Sequence, residues 1–236
     1  MQTNNKPIGI IAAMPIEAEG ILAKMSDVTV ETISHIAFSA GKLHGIPCVV
    51  AVCGIGKVFA ALCAQTMILR YHPRLILNTG VAGSLSEELT IGDIAIAEAL
   101  VQHDMDTSAL GDPVGLISGI NVVYLPCDEE ASEGLVFCAS ALEGVSVKRG
   151  IIASGDKFMS DAAEKQRIAA TFGAVACEME GAAIGQVCYV NDIPCAVMRA
   201  ISDGGDEAAA MDYPTFSKMA AARAVCAIDA FFSRIS

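Results

Sequence analysis

The chain has 236 residues and a net charge of −12, with 53% hydrophobic and only 18% charged residues. Such a composition excludes a disordered chain and provides enough apolar material for one sizeable core. The acidic excess argues against nucleic acids and anionic lipid surfaces, which need clustered basic charge. No stretch reaches the roughly 18–20 apolar residues that cross a bilayer, so we expect no membrane partner.

The predicted elements alternate between apolar runs of strand length and longer helical patterns. This alternation, with short connections, indicates an α/β fold whose mixed, largely buried sheet carries helices on both faces. No repeat or linker divides the sequence, so we expect a single domain over residues 1–236. In chain order we predict strands at 7–13, 34–40 and 46–53, a helix at 58–71, strands at 74–79 and 93–101, a loop over 103–126, a helix at 128–143, a strand at 146–153, a helix at 160–171, a strand at 174–177, a helix at 180–190, a strand at 194–201 and a helix at 214–233.

Nine cysteines, an odd number without C-x-x-C spacing, indicate reduced thiols that pack as small hydrophobic side chains. The apolar neighbours of Cys48 and Cys226 favour burial of both. This usage is typical of the cytoplasm, which is the localisation we expect. The apolar start over 7–14 is interpreted as a buried first strand rather than a signal peptide, because one lysine precedes it and acidic residues follow.

The segment Gly54-Ile55-Gly56-Lys57 invites a phosphate-loop interpretation. A Walker loop needs a further glycine and a hydroxyl residue, and Ala51 and Val58 stand at those positions. The dinucleotide fingerprint needs a third glycine, and Phe59 stands there. We interpret the segment as a tight turn that opens a helix or lines a ligand site.

Metal and serine-hydrolase chemistry are both disfavoured. His103, Asp104 and Asp106 lie within four residues of a loop, but such a group is common by chance and no second cluster supports it. We therefore expect no metal. The four histidines show no triad spacing, and no G-x-S-x-G motif is present.

Two acidic motifs follow apolar strands. The acids of Glu178-Met179-Glu180 either cap the next helix or direct one carboxylate into a pocket, where it would accept hydrogen bonds from vicinal sugar hydroxyls. Asp203 ends the run Arg199-Ala200-Ile201-Ser202-Asp203. It either caps a turn or lies at the floor of a cleft, where shielding from water suits a general acid.

Six short segments together carry a family resemblance. They are Gly9–Glu17 (GIIAAMPIE), Gly54–Lys57, Asn78–Gly83 (NTGVAG), Ser154–Phe158 (SGDKF), Glu178–Glu180 and Arg199–Asp203. In this order and spacing they resemble the bacterial 5′-methylthioadenosine/S-adenosylhomocysteine nucleosidases, within the purine nucleoside phosphorylase-like family, over nearly the whole chain. The resemblance implies a three-layer α/β/α sandwich with a central mixed β-sheet and a homodimer. It also implies hydrolysis of the N-glycosidic bond of an adenine nucleoside with a 5′-thio substituent, without metal or cofactor.

The resemblance also implies roles for individual residues. Asp203 is expected to protonate adenine N7, Glu17 to orient and deprotonate the attacking water, and Glu180 to hold the ribose hydroxyls. The other substrate-binding residues are expected to be Met179 against the ribose, Phe158 stacked on the base, backbone groups near Met159 at the adenine edge, Arg199 near the water or the 2′-hydroxyl, Ser202 beside the acid, and Met14, Ile55 and Tyr213 in the apolar 5′ pocket.

Three further positions are interpreted through the same resemblance. Val81 stands where the family often has a serine, whose hydroxyl would help to hold the water, so it is included among the substrate-binding residues. The loop near Leu110 and Pro113 is expected to reach the site of the partner subunit.

Related functions stay open from the sequence. A phosphate-dependent nucleoside phosphorylase of this fold would need an arginine near the first strand, where Glu17 would instead repel phosphate. The sequence does not distinguish a 5′-methylthioadenosine/S-adenosylhomocysteine nucleosidase from an aminodeoxyfutalosine hydrolase or a bifunctional enzyme, because these enzymes all remove adenine from a 5′-substituted ribose. A non-catalytic binding protein is disfavoured because Glu17 and Asp203 are both present.

Overall fold

Strands and helices alternate along the chain as the hydrophobic pattern predicts. The computed structural model describes residues 6–203 and 213–236, with the side chains of the last helix described from residue 215 onward. The strands are β1 (Ile8–Ala12), β2 (Ser26–Ile33), β3 (Ile36–Leu43), β4 (Ile46–Val52), β5 (Leu75–Ser84), β6 (Ile94–Gln102), β7 (Leu125–Pro126), β8 (Val147–Ser154), β9 (Ala174–Glu178) and β10 (Cys195–Asp203). The helices are α1 (Pro15–Leu22), α2 (Lys57–Tyr71), α3 (Glu129–Ser140), α4 (Ala162–Phe172), α5 (Gly181–Val190) and α6 (Tyr213–Ile235).

The sheet is mixed, and part of it closes on itself. An open arm runs from β2 through β3, β4 and β1 to β5. From there β5, β10, β6, β8 and β9 pair in turn, and β9 returns to β5. Closure is possible because β5 is long: Leu75–Asn78 pairs with β1, whereas Gly83 and Ser84 pair with β9. The mixed sheet with its helices is confirmed, but this closed pairing does not confirm a simple three-layer sandwich.

Helices cover both faces of the sheet. Helices α2 and α5 pack on one side, and α1, α3 and α6 pack on the other. Strand β1 is buried between them, with Ile11 in the first core and Ile10 in the second. This two-sided burial explains why the strand is a continuous apolar run rather than an alternating pattern.

Three elements were not predicted from the sequence: α1, β2 and β7, whose two residues lie in the predicted loop over 103–126. Helix α1 lies between the predicted strands at 7–13 and 34–40, where we predicted no element, and it is only eight residues long. Strand β2 (SDVTVETI) is largely exposed and pairs with β3 at the edge of the sheet. An exposed edge strand buries little apolar surface, so its sequence lacks the pattern that identifies a core strand. None of the helices in the described ranges is long and apolar enough to span a membrane.

The cysteines are all free thiols, and most of them are buried. Cys48 is buried as predicted, whereas the prediction was wrong for Cys226, which is exposed. Its neighbours Ala224, Ala227 and Ile228 face the core at helical spacing. That spacing turns position 226 to the outer face of α6, so apolar neighbours in sequence did not mean burial.

Candidate active site

One cleft collects the predicted site residues. It lies where β1, β5, β8, β9 and β10 end, and encloses about 600 Å³ of space free of protein atoms, its open mouth included. The side chain of Tyr213 lies outside the described residues. The other predicted catalytic and substrate-binding residues all line this cleft: Met14, Glu17, Ile55, Val81, Phe158, Met159, Met179, Glu180, Arg199, Ser202 and Asp203.

Glu17 is fixed by backbone donors at the start of α1. Its Oε2 accepts hydrogen bonds from the N–H groups of Ala13 (2.9 Å) and Met14 (2.8 Å). Its Oε1 accepts one from the N–H of Val81 (3.0 Å) on β5. Burial raises the pKa of Glu17 above 4.5, although Arg199 and these N–H groups oppose the shift. A raised pKa makes a carboxylate a better proton acceptor.

Gly80 leaves the space in which Glu17 and Arg199 approach each other. A Cβ at this position would lie 2.6 Å from Glu17 Oε1 and 2.5 Å from an Arg199 Nη atom. The segment Asn78–Gly83 therefore needs a glycine at its centre for a steric reason.

Arg199 is fully buried among acidic and polar groups. It donates to Glu178 and to Asn78 Oδ1 (2.5 Å), and lies 3.5 Å from Glu180 Oε2. Charged side chains are rarely buried without such partners. These bonds give Arg199 a supporting role, because they hold the two carboxylates of Glu178–Glu180 in place.

Glu178 joins three parts of the site. Its carboxylate accepts hydrogen bonds from Ser154 Oγ, from Arg199, and from the N–H groups of Glu180 (3.0 Å) and Gly181 (2.8 Å) at the start of α5. Its side chain therefore caps the first N–H groups of α5, and both Glu178 and Glu180 line the cleft. The capping interpretation of the motif is confirmed for Glu178. The contact of Glu180 with sugar hydroxyls stays a prediction.

Glu180 is held by the turn before α2. Its Oε1 accepts a hydrogen bond from the N–H of Gly56 at 2.8 Å. Burial raises the pKa of Glu180 to about 7; Arg199 opposes the shift and Glu178 adds to it. The carboxylate is thus placed to accept hydrogen bonds from a ligand, and its charge is balanced by the buried guanidinium.

Carboxylates accept hydrogen bonds from two N–H groups of the turn Gly54–Lys57. Besides the Gly56–Glu180 bond, the N–H of Lys57 donates to Asp156 Oδ1 at 2.8 Å. The Lys57 ammonium reaches Asp104 Oδ1 at 2.6 Å, and Asp104 also accepts the N–H of Asp156 at 2.9 Å. Asp104 therefore joins this turn to the segment Ser154–Phe158, and the turn lines the cleft through Ile55.

Asp203 lies at the end of β10 in an ion pair. Its Oδ2 is 2.8 Å from Lys165 Nζ on α4, and both side chains are less than a tenth exposed. Its Oδ1 accepts a hydrogen bond from Ser202 Oγ at 3.1 Å. Gly83 on β5 leaves room for the carboxylate, because a Cβ there would lie 2.8 Å from Oδ2.

The remaining walls are apolar, and the two loop residues lie elsewhere. Met159 is buried within the cleft, whereas Ile55 and Phe158 are about half exposed. Leu110, in the 3₁₀ turn Ser108–Leu110, is exposed, as is Pro113, and neither lines the cleft of its own chain. Their predicted contact with a partner subunit therefore stays a prediction.

Two features of the site were not predicted from the sequence: Lys165, and the hydrogen bonds by which Glu178 joins Arg199 to the start of α5. Lys165, Ile168 and Phe172 are the buried residues of α4, at spacings of three and four. This spacing places a lysine on the inward face of a helix, a signal that was present in the sequence. The contacts of Glu178 could not be predicted from the sequence, because its partners Ser154 and Arg199 lie on other strands.

Replacing Glu178 with Gln is expected to lower the free energy of unfolding by about 3–5 kcal/mol, because it leaves a buried guanidinium without its closest carboxylate. Urea denaturation measures the change. The matched control is Glu88→Gln, since Glu88 pairs with Lys148 but is 76% exposed, and its loss should cost about 0.5 kcal/mol or less. Equal urea midpoints for the two variants would contradict a stabilising role of the bond between Glu178 and Arg199.

Known proteins match this chain over most of its length. The model of the Phosphorylase superfamily matches residues 7–233. An aminodeoxyfutalosine nucleosidase of Campylobacter jejuni is 37% identical over 209 residues, 89% of this chain and 90% of that protein. A 5′-methylthioadenosine/S-adenosylhomocysteine nucleosidase of Shewanella loihica is 36% identical over 210 residues, 89% of this chain and 91% of that protein.

A solved structure gives the same assignment. The 5′-methylthioadenosine/S-adenosylhomocysteine nucleosidase of Neisseria meningitidis, in complex with methylthio-immucillin-A, superposes with a TM-score of 0.93. It is 32% identical, and the match covers 97% of this chain and 99% of that one. The chain therefore belongs to the Phosphorylase superfamily, among the relatives of the 5′-methylthioadenosine/S-adenosylhomocysteine nucleosidases.

Proposed function

We propose that this protein is an N-glycosidic hydrolase that cleaves 5′-methylthioadenosine and S-adenosylhomocysteine to adenine and the 5′-thioribose. The observation that carries the proposal is that Glu17 and Asp203, from opposite ends of the chain, line the same buried cleft. Two carboxyl groups flanking a scissile bond are the usual machinery of glycoside hydrolysis. The nucleosidases related to this chain support the choice of substrate.

Asp203 acts as the acid in this proposal. As the C1′–N9 bond breaks, its proton passes to adenine N7, so the purine leaves as a neutral molecule. General acid catalysis of this kind is typically worth about 10²–10⁴-fold in rate. The position of Asp203 at the end of a buried strand, with Ser202 on one carboxylate oxygen, supports this role.

Glu17 acts as the base. It takes a proton from the water that adds to C1′, and its negative charge stabilises the oxocarbenium-like sugar. The three N–H groups that hold its oxygens fix its orientation before substrate binds. One of them belongs to Val81, which supplies no hydroxyl, so we propose that its backbone positions the base while its side chain only closes the cleft wall.

The other lining residues divide between the sugar and the base. Glu180 would accept hydrogen bonds from the ribose hydroxyls, with Met179 packed against the ring. Phe158 would stack on adenine, and the backbone near Met159 would contact its edge. Met14 and Ile55 would surround the 5′-thio group, since a thioether is best solvated by apolar side chains.

Hydrolysis is favoured over phosphorolysis by the charge of the site. Glu17, Glu178 and Glu180 surround the buried guanidinium of Arg199, so this part of the cleft carries an acidic excess. The N–H groups of Gly56 and Lys57 are bound to carboxylates instead of facing the cleft. A phosphate dianion would find repulsion where a phosphorylase needs a cationic cradle.

We also propose a homodimer, supported by apolar side chains outside the cleft. Val58 and Leu69 on α2 are 78% and 66% exposed, and Leu110 is 84% exposed. Large exposed apolar side chains at several positions are typical of an interface. Light scattering on the purified protein tests this, and a monomer across the working concentration range would contradict it.

The proposed reaction is tested by incubating the purified protein with 5′-methylthioadenosine, with and without phosphate. We expect adenine and free methylthioribose at equal rates in both buffers. A phosphate requirement, with a sugar phosphate as product, would instead identify a phosphorylase. Aminodeoxyfutalosine should be compared in the same assay, because the Campylobacter jejuni relative is a nucleosidase named for that compound.

A further inference from the structure

Lys165 makes an ion pair with the proposed acid from outside the family motifs. It lies on α4, which packs against β8 and β9 through Ile168 and Phe172. Its Nζ is 2.8 Å from Asp203 Oδ2, and the two side chains are 7% and 9% exposed. A lysine is seldom buried to this extent, so its position needs a reason.

Each oxygen of the Asp203 carboxylate contacts a different neighbour. Oδ2 faces Lys165, whereas Oδ1 faces Ser202 Oγ. A carboxyl group that carries its proton on one oxygen can still accept a hydrogen bond on the other. Lys165 can therefore stay bound to Oδ2 while Oδ1 donates its proton to a purine in the cleft.

We propose that Lys165 is a positioning residue for Asp203: its ammonium holds Oδ2 and balances the negative charge that the carboxylate gains when its proton leaves. The inference rests on the proposed function. In the step, the Asp203 proton passes to N7, the electron pair of the C1′–N9 bond goes to the purine, and water adds to C1′ with its proton taken by Glu17. Lys165 keeps all three of its protons throughout.

The surroundings of Asp203 leave Lys165 as the nearest cation on the side of β9. Cys177 on β9 lies beside the pair, but burial raises the pKa of its thiol to about 12, so it is neutral at physiological pH. Glu178 follows on the same strand and is bound by Arg199. Lys157 and Glu180 also line the cleft, and Lys157 is exposed and pairs with Glu164. Among the described neighbours, only Lys165 places a buried positive charge on the carboxylate itself.

The pairing has two opposite consequences for the rate. An adjacent cation favours the ionised carboxylate, so the proton is given up more readily once a base is bound. Removing the cation removes this balance of charge, so we expect the rate of a variant without it to persist to higher pH. A lysine with a merely structural role would produce neither effect on the pH profile.

The test is the pH dependence of adenine release from 5′-methylthioadenosine by the wild type, Lys165→Met and Lys165→Arg. In Lys165→Met we expect the plateau kcat to fall by about three- to tenfold, while the alkaline limb of the pH profile moves to higher pH. Lys165→Arg keeps the positive charge and should keep the limb of the wild type. The control Lys42→Met removes an exposed lysine that pairs with Asp27, and should change neither quantity.

The outcomes separate this inference from the proposed function. A wild type that does not release adenine overturns both. An active wild type whose alkaline limb is unchanged in Lys165→Met overturns the role of Lys165 alone, as does a shifted limb in Lys165→Arg. Circular dichroism checks folding, and Lys165→Gln, which keeps a hydrogen-bond donor without charge, replaces the Met variant if that one does not fold.

Discussion

Replacing Asp203 with Asn is expected to abolish measurable turnover of 5′-methylthioadenosine while leaving the nucleoside bound. The amide has no proton that it can give to N7, so kcat should fall by about 10²–10⁴-fold. KM should change little, because the side chain keeps its size and its place beside Ser202. Steady-state adenine release gives kcat and KM together.

Stability must be followed separately for this variant. The Asp203→Asn substitution leaves Lys165 buried without its carboxylate, which costs folding free energy. Circular dichroism shows whether the protein is still folded at the assay temperature. The matched control is Asp27→Asn, an exposed aspartate paired with Lys42, and it should behave like the wild type. Substantial hydrolysis by a folded Asp203→Asn protein would reject Asp203 as the acid.

Replacing Glu17 with Gln is expected to remove turnover without removing ligand binding. An amide cannot accept the proton of the attacking water, so the loss should again be on the order of 10²–10⁴-fold in kcat. Titration calorimetry with 5′-methylthioadenosine should still show binding, since Glu180 and the apolar walls are unchanged. The control is Glu19→Gln, which alters an exposed acid two residues away on α1.

The pH dependence of the wild type gives a second check on Glu17. The base must be ionised to act, and burial raises its pKa, so protonation begins at a higher pH than for an exposed glutamate. Activity should therefore fall on the acid side at a pH above 4.5. A rate that persists to lower pH, or a Glu17→Gln protein as fast as the wild type, would contradict the assignment.

Much of the fold follows from hydrophobic pattern alone. The core strands β1, β4, β6 and β10 are largely apolar runs because helices cover both of their faces. The pattern does not report pairing between distant strands. Nothing in the sequence of β5 says that its start pairs with β1 and its end with β9, which is the feature that closes the sheet.

The sequence predicted which residues form the site better than it predicted the contacts between them. The family motifs bring Glu17, Glu180 and Asp203 into one cleft, as the sequence predicted. The supporting residues Glu178 and Lys165 were harder to predict, since they act through partners on other elements. Their charges matter because they are buried, and burial depends on the whole fold rather than on a local motif.

The central claim is that two carboxyl groups of one cleft, Asp203 and Glu17, break the bond between adenine and ribose with water. A single-turnover assay of the double variant Asp203→Asn/Glu17→Gln, with enzyme in excess over 5′-methylthioadenosine and no phosphate present, tests it most directly. We predict that the wild type releases all the adenine while the double variant holds the nucleoside intact. Adenine release by the double variant within about tenfold of the wild-type rate would contradict the claim, because the general acid alone should contribute at least about 10²-fold.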